Sequence, residues 1–351
     1  MKRPISVLVP QDNEIDATPT YLFDYASLYR EDARLAGASW FRDARYGLGI
    51  HFGLYSLLGR GERVLCEGGL KESEYRALTD LFTCARFDAL ELVEFAIASG
   101  MRYIRFTARG EDGFSLFNTS RSSFNSAASK ARRDLLGELA SACEYHGIGL
   151  CVQYSLGTDM NHEQGPRPGR DLTVADLERY REFVYGQLEE LLTQYGSLAA
   201  ICLEGADQVG SHALAEHFES ENVIRYIHHI QPQVLVSLGQ GLVGSEDFLC
   251  CGEDAPAEDA PELERGWIHR NTGKTLEYRL SMGGKAWGYH VESAGKHLRE
   301  DGVWSQLAKV CKADGNLLVG TALMPDGSLD YEDVTTLVDV GKRIEDNGFP
   351  R

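Results

Sequence analysis

Short apolar runs alternate with longer amphipathic stretches along most of this chain, and this alternation restricts its fold more than any other feature. The apolar runs are the candidate strands Gly47–Phe52, Tyr103–Thr107, Gly149–Tyr154, Ala199–Leu203, Val234–Leu238, Lys285–Tyr289 and Asn316–Gly320. Apolar residues at helical spacing occur between several of them, in Ala89–Ala98, Arg133–Glu144 and Val174–Thr193. A strand–helix–strand order predicts parallel strands joined by crossover helices.

Seven or eight such units favour a (β/α)8 barrel over an open doubly wound sheet. No Gly-x-Gly-x-x-Gly motif opens a helix after the first strand, which removes the main sign of a dinucleotide-binding fold. We therefore expect an α/β protein with a TIM-like (β/α)8 catalytic barrel over residues 38–351 as its single domain. Residues 1–37 are expected to form an N-terminal extension packed on the barrel.

The charge balance excludes several classes of partner. The 351 residues include 35 Lys and Arg against 53 Asp and Glu, a net charge of −18, which disfavours nucleic acid and anionic membrane surfaces. No apolar run reaches the ~18 residues of a membrane-spanning helix. The apolar stretch near Met1 is too short for a signal peptide, and no small-residue cleavage site follows it. These features predict a cytoplasmic protein.

The chain has eight cysteines, most of them inside apolar runs, as in Gly149–Tyr154. Free buried cysteine behaves as a small apolar residue, and we expect this of most of them. The adjacent pair Cys250 and Cys251 lacks the spacing of zinc ligands, and no second pair complements it. We therefore expect no metal site and no cofactor.

Polar residues close several of the candidate strands. His51 closes the first strand, Arg109 and Glu111 follow the second, Asp159 follows the third and Glu204 follows the fourth. Taken singly, the histidine is compatible with a core role and each carboxylate with a salt bridge at the rim. Because the carboxyl ends of barrel strands meet at one face, the four strand ends together predict a polar pocket.

Paired carboxylates on a barrel rim with aromatic residues nearby are typical of glycoside hydrolysis. One carboxylate attacks the anomeric carbon, and a second, with a raised pKa, protonates the leaving oxygen. Flat apolar surfaces for sugar rings could come from five aromatic residues, of which about half are expected to be core instead. They are Trp40, Phe52, Tyr55, Phe114 and Trp287.

Six segments resemble, in order, motifs of the α-L-fucosidases of glycoside hydrolase family 29. They are Trp40–Ser56, Phe106–Phe114, Tyr154–His162, Glu190–Gly196, Ala286–Tyr289 and Gly315–Gly327. The first is similar to the family's W-F-x-D-A-K-F-G-I-F-I-H-W-G-L-Y-S, and the fourth to its E-L-L-T-N-Y-G. The resemblance extends over residues 38–349 and implies the barrel fold of that family.

The resemblance also implies a nucleophile. The family's nucleophile is the aspartate of W-F-D-G, and Glu204 in Cys-Leu-Glu-Gly stands at this position. Glutamate is one methylene longer but has the same chemistry. The family thus implies a retaining exo-glycosidase that removes a terminal fucose or a related sugar from a small glycoside or oligosaccharide by double displacement.

The position of the acid/base varies within the family. One pattern, a D-F pair after the sixth strand, selects Glu253, which we choose as the acid/base, and another, before the S-W-G-Y motif, selects Glu277. Residues Glu246–Glu264 include eight acidic residues and no basic one. Such a cluster raises the pKa of an acid within it and predicts neutral or cationic substrates rather than anionic ones.

Sugar-binding residues follow from the same motifs. His51 is retained, but Phe52 replaces a tryptophan, and Gly110 and Glu111 replace two adjacent histidines. Glu62 stands where the family's E-W-Y motif places a carboxylate that binds substrate. The other expected contacts are Tyr55, Arg109, Asp159 and Trp287.

Two other functions stay open. Lost histidines and an altered nucleophile are also typical of a catalytically silent carbohydrate-binding protein, which a second carboxylate beside Glu204 would disfavour. A metal-dependent hydrolase or isomerase would use His51, Glu111, Asp159 and Glu204, although the strand ends lack the usual histidine-rich motifs. The family usually continues into a β-sandwich that has no counterpart here. We therefore expect a member without it, with a rim that is open or completed by another subunit of a homo-oligomer.

Overall fold

Eight parallel strands form a nearly closed barrel in this computed structural model, which describes residues 18–68, 70–205, 220–238, 244–252, 271–284 and 286–350. The strands are β1 Tyr46–His51, β2 Tyr103–Arg109, β3 Gly149–Ser155, β4 Ala200–Glu204, β5 Leu235–Leu238, β6 Phe248–Cys251, β7 Thr275–Ser281 and β8 Asn316–Ala322. Their order around the barrel is β5-β4-β3-β2-β1-β8-β7-β6. The predicted (β/α)8 class is confirmed.

Helices surround the barrel. They are α1 Ala26–Glu31, α2 Ala33–Ala44, α3 Glu72–Arg76, α4 Ala89–Ala98, α5 Leu135–His146, α6 Val174–Gln194, α7 Ser220–Ile230, α8 Glu300–Lys312 and α9 Tyr331–Asn347. The prediction for α4 is confirmed at both ends, and that for α6 is one residue short. The helix predicted from Arg133 begins at Leu135, because the side chain of Asp134 accepts a hydrogen bond from the N–H of Gly137 and caps it.

One predicted strand is wrong and two strands were not predicted. Residues 286–289 of the predicted strand Lys285–Tyr289 form no strand, and the ladder there consists of β6 and β7. The strand β7 was not predicted because Glu277 and Arg279 interrupt the apolar pattern of a buried strand. Both are partners in ion pairs, which is how charged groups are accommodated there.

Large side chains fill the amino-terminal end of the barrel where glycines leave room. A Cβ atom on Gly47 would lie 2.2 Å from the ring of Tyr103, and one on Gly149 would lie 2.2 Å from the ring of Trp40. Trp40, in α2, therefore plugs the end opposite the carboxyl ends of the strands. It is a core residue, as we expect of about half of the five aromatic candidates.

The cysteines agree with the expectation that most of them are free and buried. All eight cysteines are free, and six of them are buried. Among the described residues, no helix combines the length and apolar character needed to cross a membrane.

An aspartate side chain closes the barrel between β5 and β6, the two ends of the strand order. The N–H of Asp247 donates to the carbonyl of Val236 (2.9 Å), and the N–H of Val236 donates to Oδ2 of Asp247 (2.8 Å). The same carboxylate accepts from Arg34 Nε (2.8 Å) and lies 2.9 Å from His228 Nε2. One carboxylate thus joins the two strands to α2 and α7.

We expect Asp247→Asn to lower the free energy of unfolding by about 2–4 kcal/mol, since it removes the charge from a nearly buried hydrogen-bonded group. Burial favours the protonated acid, but the bond with His228 and the positive charges outweigh it and hold the pKa of Asp247 below its ordinary value. The contribution is therefore present above the ordinary pKa of an aspartate and is lost as the pH falls through the lowered one.

Urea denaturation at neutral pH measures this change. The control is Asp314→Asn, which weakens an exposed ion pair with Arg45 of 2.6 Å. An equal effect of the two substitutions would contradict the role of Asp247.

Candidate active site

The carboxyl-terminal end of the barrel holds an ion pair that water reaches. Glu204, the last residue of β4, accepts a hydrogen bond of 2.7 Å from Nη1 of Arg279 in β7 to its Oε1. The two side chains are 27% and 24% exposed, whereas most of the described strand residues are buried. This pair marks the mouth of the barrel.

The carboxylate of Glu204 is held in its ionised form. Burial alone would raise its pKa, but the positive charges of Arg279 and Arg105 outweigh burial, so the pKa of Glu204 lies below its usual value. An ionised carboxylate at a strand end is the state that a nucleophile needs.

His51 presents a neutral imidazole at the same mouth. The residue is 7% exposed, and burial lowers the pKa of its imidazole to about 4 although the carboxylates of Glu62 and Glu204 act in the opposite direction. A neutral imidazole has one donor and one acceptor nitrogen, which suits it to a sugar hydroxyl.

Trp287 lies beside His51, with ring centroids 5.3 Å apart. Oε2 of Glu62 accepts from the N–H groups of Trp287 (3.0 Å) and Gly288 (2.8 Å), which fixes the segment that carries the indole. The indole packs over Gly320 of β8, where a Cβ atom would lie 2.4 Å from its ring. Trp287 thus forms an aromatic wall of the mouth, held by a carboxylate and fitted to a glycine.

A second ion pair lies one layer below, inside the barrel. Arg105 of β2 pairs with Glu277, which also accepts from the hydroxyl of Tyr103 (2.7 Å). Glu277 is aligned with Asn316, the first residue of β8, and is fully buried. Burial raises the pKa of Glu277 to about 7, although Arg105 acts against it.

Arg109 and Asp159, both expected to contact the sugar, pair with each other. Both side chains are at most 1% exposed. Oδ1 of Asp159 also accepts from the N–H groups of Asn161 (2.9 Å) and His162 (2.8 Å). Their polar atoms therefore hold the loop after β3, and a role in sugar binding stays a prediction.

Glu111 lies against the segment that carries Glu62. Its Oε2 accepts from the thiol of Cys66 (3.4 Å), its Oε1 lies 3.8 Å from Nη1 of Arg63, and its carbonyl accepts from Met160 (2.9 Å). Its side chain is 24% exposed. The structure therefore brings Glu111 to the loop that also holds the aromatic wall.

The other predicted aromatic residues are buried. Phe52 and Phe114 both pack on Phe82, at centroid distances of 5.1 and 5.3 Å, and Tyr55 is 2% exposed. Trp287 is the one of the five that is not buried. Glu253, the residue chosen as the acid/base, lies outside the described residues.

Sequence reasoning missed Arg279 and Arg105. Only once β7 is known to be a strand does its sequence give a signal, because Glu277 and Arg279 are two residues apart and therefore point to the same side of it. Two opposite charges on one face of a strand indicate partners across the barrel, here Arg105 for Glu277 and Glu204 for Arg279.

The described part of the chain contains no set of side chains arranged as metal ligands. No group of three or more histidine, cysteine, aspartate or glutamate side chains is arranged there to hold a metal ion. Of the four ligands that a metal-dependent enzyme would use, Asp159 pairs with Arg109 and Glu204 pairs with Arg279.

Comparison with known proteins agrees with this geometry. A family model described as alpha-L-fucosidase matches residues 24–349. Alpha-L-fucosidase 1 of Arabidopsis thaliana is 30% identical over 164 residues, which are 46% of this chain and 30% of that protein. The alpha-L-fucosidase of Branchiostoma floridae is 21% identical over 330 residues, covering 88% of this chain and 71% of that protein. The match to the Arabidopsis relative thus spans less than a third of its length.

Solved structures show the same fold. Alpha-L-fucosidase isoenzyme 1 from Paenibacillus thiaminolyticus superimposes with a TM-score of 0.78 at 24% identity, covering 90% of this chain and 77% of that one. An alpha-L-fucosidase from Bacteroides thetaiotaomicron superimposes with a TM-score of 0.79 at 19% identity, covering 99% and 79%. At these identities the likeness concerns the barrel.

We expect Gly320→Ala to displace Trp287 from the mouth, because the added methyl group has no room against the indole. The tryptophan fluorescence should shift to the red, and Trp287→Phe, made in both backgrounds, identifies the indole responsible. The control is Gly49→Ala in β1, directly opposite Gly320, where a Cβ atom would have its nearest neighbours at 3.4 Å. Unchanged emission in Gly320→Ala would contradict the packing described.

Proposed function

This chain belongs to the α-L-fucosidase family, and from that premise we propose that it is a retaining exo-glycosidase with Glu204 as its nucleophile. The proposed substrate is a small glycoside or oligosaccharide that ends in α-L-fucose or a related sugar. The observation that carries the proposal is the partly exposed, ionised Glu204 at the barrel mouth, which also holds the neutral imidazole of His51 and the wall formed by Trp287.

The first step transfers the sugar to the enzyme. An oxygen of Glu204 forms a bond to the anomeric carbon while the bond to the leaving oxygen breaks, and the acid donates its proton to that oxygen. The products are a glycosyl ester of Glu204 and the free aglycone. Trp287 supports the apolar face of the sugar, and His51 binds a hydroxyl group.

The second step restores the enzyme. A water molecule loses a proton to the same acid/base residue and forms a bond to the anomeric carbon, while the ester bond breaks and returns its electron pair to the carboxylate of Glu204. Two inversions give net retention of configuration.

The acid/base in this proposal is Glu253, which comes two residues after the end of β6. Glu277 has a suitable pKa of about 7, but it is fully buried and already bound by Tyr103 and Arg105. An acid must reach the leaving oxygen within hydrogen-bond distance, and this burial argues against Glu277.

Fucose is favoured by two considerations. Solved α-L-fucosidases of this fold hold α-L-fucose as a product and 4-nitrophenyl α-L-fucopyranoside as a substrate. Fucose is also uncharged, and the mouth has the carboxylates of Glu62, Glu111 and Glu204, which would repel an anionic sugar.

We expect Glu204→Gln to lower kcat/KM for 4-nitrophenyl α-L-fucopyranoside by about 10³-fold or more, because an amide cannot form the ester intermediate. The matched control is Glu300→Gln in α8, which removes another carboxylate that pairs with an arginine, Arg343, and should keep the wild-type rate.

Azide distinguishes a nucleophile from a merely structural residue. With Glu204→Ala, azide should restore turnover and yield the β-L-fucosyl azide, since it attacks from the face that the carboxylate left free. An α-azide, or no rescue while the variant stays folded, would contradict the assignment. A wild-type protein that binds fucose but turns over no glycoside in a panel of aryl glycosides would instead support the silent carbohydrate-binding protein.

Leaving-group dependence tests the acid/base. We expect Glu253→Gln to lose most of its activity on alkyl fucosides, which need protonation, and far less on 2,4-dinitrophenyl fucoside, which does not. Glu277→Gln should impair both substrates alike, because it disturbs the buried pair with Arg105. The reverse pattern would transfer the role to Glu277.

A further inference from the structure

We propose that Arg279 is a positioning residue for Glu204, which orients the carboxylate for attack and favours its release from the glycosyl ester. The inference rests on the proposed function, since it concerns the two steps in which Glu204 takes part. It assigns a role to a residue that the motifs of the sequence did not single out.

Arg279 is held from three sides. Its Nη1 donates to Oε1 of Glu204 (2.7 Å), its Nε donates to the carbonyl of Cys251 at the end of β6 (3.4 Å), and its guanidinium lies 5.9 Å from the ring centre of Trp287. The carbonyl and the indole do not depend on the state of Glu204. Arg279 therefore keeps its position when the charge of Glu204 disappears.

The charge of Arg279 is balanced by Glu204 in particular. Arg105, the cation in the layer below, has its own counterion in Glu277. In the described part of the chain, Glu204 is the carboxylate that forms an ion pair with Arg279. Glycosylation of Glu204 would thus leave Arg279 at the mouth without its counterion.

The charge of Arg279 affects the rates of the two steps in opposite directions. In the first step, the ion pair stabilises the free carboxylate and makes it a weaker nucleophile, while it fixes the oxygen that attacks. In the second step, the ester bond breaks and its electron pair returns to Glu204, whose new negative charge Arg279 stabilises. The arginine is therefore expected to speed release of the sugar more than its capture.

The experiment compares Arg279→Gln, Arg279→Lys and wild type on 4-nitrophenyl α-L-fucopyranoside, with pH profiles of kcat/KM and stopped-flow measurement of released nitrophenol. The control is Arg343→Gln. Arg343 also pairs with a carboxylate, that of Glu300 (3.0 Å), and stacks on a tryptophan, Trp304 (4.2 Å), but it does so on the outer helices. If Arg279→Gln does not fold, Arg279→Met, which is also uncharged, takes its place.

In Arg279→Gln we expect the acid limb of kcat/KM to move up by about 1–2 pH units, because the pKa of Glu204 rises when the opposite charge is removed. We expect kcat to fall about tenfold with a parallel fall in KM, and a burst of nitrophenol equal to the enzyme concentration, because the ester accumulates. Arg279→Lys should keep the acid limb near that of wild type, and Arg343→Gln should show no burst.

An unchanged acid limb and no burst in the uncharged variants would overturn the inference. That failure is distinct from failure of the proposed function. If wild type turns over the fucoside and Glu204→Gln does not, the assignment of Glu204 as the nucleophile is kept, whatever the results for the Arg279 variants. If wild type shows no turnover at all, the proposed function fails first.

Discussion

The buried ion pair between Arg105 and Glu277 is the interaction on which the arrangement of the barrel depends. Two opposite charges inside a barrel are tolerated only when they pair with each other. Here the hydroxyl of Tyr103 also donates a hydrogen bond to Glu277. Because Arg105 finds its partner within its own layer, the layer above is free to hold a second pair. That second pair, between Glu204 and Arg279, reaches water and is the one that chemistry can use.

Glycines determine which side chains can occupy the two ends of the barrel. Gly47 and Gly149 make room for Tyr103 and Trp40 at the closed end, and Gly320 makes room for Trp287 at the mouth. The space beside a glycine therefore accommodates a buried core ring at one end of the barrel and the aromatic wall at the other. Whether an aromatic residue is core or binding surface follows from the end at which its glycine lies.

Periodicity predicted much of the fold and less of the site. The strand ends His51 and Glu204 could be predicted because each follows an apolar run, and α4 and α6 because their apolar stripes are regular. The strand β7 could not, since its inward residues are charged and their partners lie on strands far away in sequence. For the same reason Arg279 was missed, whereas the apolar residues around Trp287 falsely indicated a strand. Ion pairs between strands on opposite sides of a barrel form only when the barrel closes, so the local pattern of apolar residues does not indicate them.

The proposed mechanism requires that Glu204 become covalently glycosylated. The most direct measurement is mass spectrometry of the protein after incubation with 2-fluoro-fucosyl fluoride, which slows both steps but loses its fluoride readily. We expect a fluorofucosyl group on the peptide that contains Glu204 and none in Glu204→Gln. A label on another residue, or no label on a protein that hydrolyses fucosides, would contradict it.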